Sequence, residues 1–117
     1  MREIGTKSRE VYELMLPPVD VYEDGSDLVI VMDMPGFEKD RIKTRLSENS
    51  LLVSARRDPP ERDGMVYWEQ RPLRVHKRVS IPVKVDLDED AGLKAKYESG
   101  VLTVRLPIKG IGKVTVE

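Results

Sequence analysis

The chain has 117 residues, with 20 lysines and arginines against 21 aspartates and glutamates. That length suits one domain burying roughly two thirds of its unfolded surface, and the near balance of charge leaves no electrostatic footprint for nucleic acid as a partner. With no cysteine, disulfides and thiolate metal sites are excluded and a reducing compartment is compatible.

Residues 1–18 read as an N-terminal arm. Met1–Lys7 lacks the apolar run of a leader peptide, and no segment reaches membrane-spanning length, so a cytoplasmic protein without a membrane as primary partner is expected. Ile4, Val11, Tyr12 and Met15 recur near helical spacing with charges largely opposite, which suits a short amphipathic helix stopped by Pro17-Pro18. A helix so short is marginal alone, and a frayed terminus is the other reading.

From Val19 the period becomes two. Val19 and Val21 open a strand, residues 23–27 turn, and Leu28, Ile30, Met32 and Met34 alternate along a second strand. Pro35-Gly36 supplies a turn. Ile42, Thr44 and Leu46 then alternate with Arg41, Lys43 and Arg45, and Leu51–Arg56 follows. Residues 57–72 are polar and broken by Pro59-Pro60, Gly64 and Pro72. Leu73, Val75, Val79 and Ile81 form the next strand, residues 86–92 an acidic connector, and residues 93–106 a hairpin turning at Ser99-Gly100. Short strands with turn signals between them, and no helical period after residue 16, predict an all-β antiparallel sandwich over residues 19–107.

Several patterns could carry chemistry. His76, the only histidine, is flanked by Lys77 and Arg78 with no nucleophile set around it, so an exposed strand residue is expected and not catalysis. Asp86, Asp88 and Asp90 have the opening spacing of a calcium loop, but Ala91 and Tyr97 stand where glycine and glutamate are needed, so a solvated turn is expected. Lys109–Lys113 resembles a scrap of phosphate loop without the strand and helix that would aim it; a flexible linker fits better. No cofactor and no metal are expected.

Two apolar segments have no obvious core to join. Met65, Val66, Tyr67, Trp68 and Glu69 form a strand-like run inside a loop too long to be idle, either folded back on its own domain or leaving to pair with a neighbour's sheet. At the end of the chain (residues 108–117), Val114 and Val116 point to one side of an extended tail. If the Ile42, Thr44 and Leu46 strand neighbours the Leu93, Ala95 and Tyr97 strand, the slot between them would accept two valines. Burying both side chains yields roughly 3–6 kcal/mol gross. Ordering the tail at about 1–2 kcal/mol per residue removes much of it, so one tail holds weakly and many hold through effective concentration.

Three separated motifs carry a family resemblance. Ala95-x-x-x-Ser99-Gly100-Val101-Leu102 resembles the A-x-x-x-n-G-V-L signature of the α-crystallin domain of small heat-shock proteins. Pro35-Gly36 with Ile42 is similar to that family's P-G-x-x-x-x-x-I turn and strand, and Val114-x-Val116 to its C-terminal I-x-I/V anchor. Ser99 stands where asparagine is usual, and Lys77 where many members place an arginine, with Arg78 beside it as a possible substitute. The resemblance implies an immunoglobulin-like sandwich, a dimer made by exchanging Met65–Glu69, and a large homo-oligomer held by tails in the Ile42/Leu93 groove. It also implies ATP-independent holding of partly unfolded client proteins, with client contacts from the arm through Ile4, Val11, Tyr12, Leu14, Met15 and Leu16. The rival is a CS-type monomeric co-chaperone domain, which should lack both the tail anchor and the strand-bearing loop.

Overall fold

The computed structural model describes residues 17–110. Seven strands follow in order: β1 (Val19–Asp24), β2 (Asp27–Asp33), β3 (Ile42–Leu46), β4 (Ser50–Arg56), β5 (Arg74–Ser80), β6 (Lys94–Glu98) and β7 (Val101–Pro107). They form one four-stranded sheet, β1-β2-β7-β6, and one three-stranded sheet, β3-β4-β5, paired antiparallel throughout. The all-β antiparallel sandwich expected from the two-residue period is what forms. The helix expected in the N-terminal arm lies outside the described residues.

Alternation decides which side chains meet between the sheets, because successive residues of a strand point to opposite faces. Leu28, Ile30 and Met32 of β2 join Leu102, Val104 and Leu106 of β7. Across the gap stand Leu51, Val53 and Ala55 of β4 with Val75 and Val79 of β5, all in one buried cluster. Met34 and Phe37, just after β2, and Ile81 and Val85, after β5, complete it.

Two local devices set the frame. Ser99 (φ 52°) and Gly100 (φ 78°) both occupy the left-handed region, the signature of a two-residue type I′ hairpin turn between β6 and β7. A side chain at Gly100 would also meet the Pro35 Cα at 3.1 Å, and the Met34 N–H donates to the Gly100 carbonyl at 2.7 Å, so this turn packs directly on the end of β2. At the opposite end, Arg105 of β7 donates to Asp24 (2.8 Å) and Asp27 (3.2 Å), tying down the β1–β2 turn. The bond to Asp24, then that to Asp27, raises the Arg105 pKa above its ordinary value, so this clamp stays charged throughout the physiological range.

Asp86, Asp88 and Asp90 occupy a turn between β5 and β6. The Asp86 carboxylate accepts from the Asp88 N–H at 3.0 Å and that of Asp88 from the Asp90 N–H at 3.1 Å. The spacing of Asp86 and Asp88 is thus turn chemistry, each of the two satisfying the backbone two residues on.

Candidate functional site: open strand edges and an unpaired arm

Each sheet ends in edge strands, and these concentrate the half-buried apolar side chains. β3 borders the three-stranded sheet and β6 the four-stranded one. Ile42 and Leu46 on β3, and Leu93 and Tyr97 at β6, are partly buried and pack against the core cluster, whereas Thr44 and Ala95 between them are exposed. The core therefore comes close to solvent along both edges.

Tyr97 links the two edges. Its hydroxyl lies 2.6 Å from the Met34 carbonyl and 3.0 Å from that of Phe37. Both acceptors belong to the connection that carries the chain from β2 into β3. One phenol on β6 thus fixes the segment that delivers β3, its single proton shared between two carbonyls and directed mainly at the nearer, that of Met34. The tail valines, Val114 and Val116, lie outside the described residues, as do Ile4, Val11, Tyr12, Leu14, Met15 and Leu16 of the arm.

The second feature is the excursion between β4 and β5. Its base is pinched shut: the Arg57 N–H donates to the Leu73 carbonyl at 2.9 Å, and Arg57 Nε to the Pro72 carbonyl at 2.8 Å. The same guanidinium lies over the Phe37 ring, 5.0 Å from its centroid. Beyond this pinch the chain forms no helix or strand until β5. Met65 is 80% exposed, Val66 45%, Tyr67 76% and Trp68 78%. The Met65–Glu69 segment, expected as a strand, does not form one within a single chain. A lone strand has no ladder partner and gains nothing from extension alone.

Two features were missed in the sequence. β1 is the other edge of the four-stranded sheet, and it carries Val21 at 38% and Tyr22 at 48% exposure; strand order, which makes it an edge, leaves no mark on a local pattern. Lys77 and Arg78, offered above as interchangeable, lie on opposite faces. Lys77 is paired with Val53 on the inward side, while Arg78 points outward and donates to the Ser50 Oγ at 2.9 Å. Arg78 cannot take over an inward role of residue 77. His76 is exposed, as its strand position suggested. No helix among the described residues is long and apolar enough to cross a membrane.

A two-sheet antiparallel sandwich with apolar edges and a long excursion between β4 and β5 matches the α-crystallin architecture that the sequence motifs suggested. Residues 20–114 match the model of the Hsp20/alpha crystallin family. The chain belongs to that family. Among solved structures it is similar to a point mutant of hsp14.1 from Sulfolobus, at 46% identity and a TM-score of 0.80, covering 99% of this chain and 93% of that one. The Del-C4 mutant of the same protein gives 50% identity and 0.79, over 94% and 93% of the two chains. An 18 kDa heat shock protein of Streptomyces albus is 34% identical over 93 residues, 78% of this chain and 64% of that relative. The match thus spans less than two thirds of the Streptomyces protein's length. Membership supports a chaperone role.

Proposed function

We propose that this chain is an ATP-independent holdase that captures partly unfolded proteins and works as a reversible homo-oligomer of strand-exchanged dimers. The exposure of Met65, Val66, Tyr67 and Trp68 carries the reading. Four large apolar side chains outside the sandwich are an unusual thing for a monomer to keep in water, and β1 has one edge unpaired. In the proposed dimer, Met65–Glu69 of one copy adds as a strand beside β1 of another, and Val21 and Tyr22 help receive it. Full burial of each such side chain yields about 1.5–3 kcal/mol gross, reduced by ordering about 1–2 kcal/mol per residue. Two reciprocal exchanges make the pairing hold.

The dimers join when the Val114-x-Val116 tail of one seats its valines in the groove between β3 and β6 of the next. Ile42, Thr44, Leu46, Leu93, Ala95 and Tyr97 line that groove. Unfolding clients expose apolar extended segments of the same chemistry, so an emptied groove accepts them by strand-like docking. Heating shifts subunits toward the released state. The arm residues Ile4, Val11, Tyr12, Leu14, Met15 and Leu16 add client contacts.

The test is Val114→Ala with Val116→Ala. Light scattering behind size exclusion is expected to show the large particle reduced to dimers; an unchanged particle refutes tail anchoring. A wild-type chain of monomer mass would instead favour the CS-type adaptor.

A further inference from the structure

The balanced charge of the whole chain conceals a separation between the two outer faces. Outward positions of the four-stranded sheet carry Asp20, Asp24, Asp27, Asp33 and Glu98 against Lys94, Lys96 and Arg105, as the register places them. Outward positions of the three-stranded sheet carry Lys43, Arg45, Arg56, Arg74, His76 and Arg78, all exposed, and no carboxylate. The cause is the strand period: basic residues that look interspersed in the sequence alternate with inward apolar ones and so fall on one face.

These basic side chains stand in rows. Arg56 is directly opposite Arg74, with Arg41 just before β3 on the other side. Lys43 shares a row with Ser54 and His76, and Arg45 with Leu52 and Arg78. Like charges opposite one another on adjacent strands are destabilising unless a counter-charge joins them. Arg41 has one, Asp58 at 3.3 Å, but Lys43, Arg45 and Arg56 have no carboxylate partner among the described residues. Arg41, Lys43, Ser54, Arg56, Arg74 and His76 line an open cleft of about 980 Å³, to which the carboxylates Asp40 and Asp58 also contribute.

The grid selects the ligand. Cations two residues apart on a strand repeat at about 6.6 Å, and neighbouring strands at about 4.8 Å. A single small anion meets one or two of them, whereas a chain with a charge on every repeat meets several. Guanidinium forks bind phosphate oxygens bidentately. Three strands span about 10 Å, the width of one polynucleotide strand. Among the outward positions His76 carries the only ring on which a base could stack, and their one apolar side chain, Leu52, is half-buried, leaving nothing to insert into a bilayer. We infer that the outer face of β3-β4-β5 binds single-stranded nucleic acid through its phosphates, without reading sequence. The absence of a footprint in the overall composition is the average of two unlike faces.

Fluorescence anisotropy of a labelled oligouridylate titrated with the full-length protein tests this. Binding is expected at low salt. Its affinity should fall on a log–log plot with a slope of about −2 to −3, the value for three or four neutralised phosphates of a single strand. Lys43→Glu with Arg45→Glu should weaken binding about tenfold or more, Lys43→Gln with Arg45→Gln by less, and Asp20→Asn with Asp33→Asn on the opposite face should not weaken it. No binding at low salt, or binding indifferent to the substitutions at 43 and 45, overturns the inference. So does equal affinity for a duplex of the same length. Binding to anionic phospholipid vesicles in place of the oligonucleotide reassigns the face to a membrane surface and overturns it too.

Discussion

Met32 and Met65 are the same residue type in unlike surroundings: the first is 1% exposed between the sheets, the second 80% exposed on the arm. Val53 and Val66 repeat the contrast at 0% and 45%. The middle of the sandwich satisfies its apolar side chains within one chain, while the 57–72 excursion and the strand edges leave theirs exposed or half-buried. Under the proposed function the apolar inventory of this protein serves two ends, stability of the subunit and assembly or capture.

Substitutions at the two kinds of site should separate in the same way. Leu51→Ala, at a side chain 1% exposed in the core, should cost about 2–5 kcal/mol, read as a lower urea midpoint. Trp68→Ala should leave the stability of the isolated subunit nearly unchanged and weaken dimerisation. A Trp68→Ala chain with a core-like loss of subunit stability would erase the distinction. Gly100→Ala sharpens the boundary from the core side. It forces a Cβ to 3.1 Å from Pro35 and an alanine into the left-handed region, at a cost of about 1–3 kcal/mol in thermal or urea unfolding; a neutral result would remove the β6–β7 turn from the frame. Tyr97→Phe lies where the regions meet. Leaving the Met34 and Phe37 carbonyls without the phenol should cost about 1–2 kcal/mol and speed subunit exchange, measured by mixing differently labelled particles. Unaltered exchange would mean that Tyr97 supports the core alone.

The elements and the inward faces were legible because both follow from local alternation. Ile42, Thr44 and Leu46 fall on β3, and Ser99-Gly100 turns the hairpin, as their residue types dictate. What stayed hidden depends on strand order. Nothing in Val19–Asp24 announces that β1 is an edge with Val21 and Tyr22 exposed. The expected strand at Met65–Glu69 needs a partner that one chain does not supply. The cationic face required knowing that β3, β4 and β5 are neighbours, since only their registered pairing brings Arg56 beside Arg74 and Lys43 beside Ser54 and His76. Lys77 and Arg78 show the reverse failure, where adjacency in sequence suggested equivalence and the strand turned them to opposite sides.

Trp68 is the only tryptophan, so its fluorescence reports the arm without labelling. It is 78% exposed in the single chain, and strand exchange would bury it beside another copy's β1. Acrylamide quenching measured on the same sample as the light-scattering mass therefore tests the central claim directly. A multimeric particle with Trp68 shielded from quencher, becoming accessible as dilution separates the subunits, is the predicted result. A multimeric particle whose Trp68 is quenched as freely as that of the unfolded chain would contradict it.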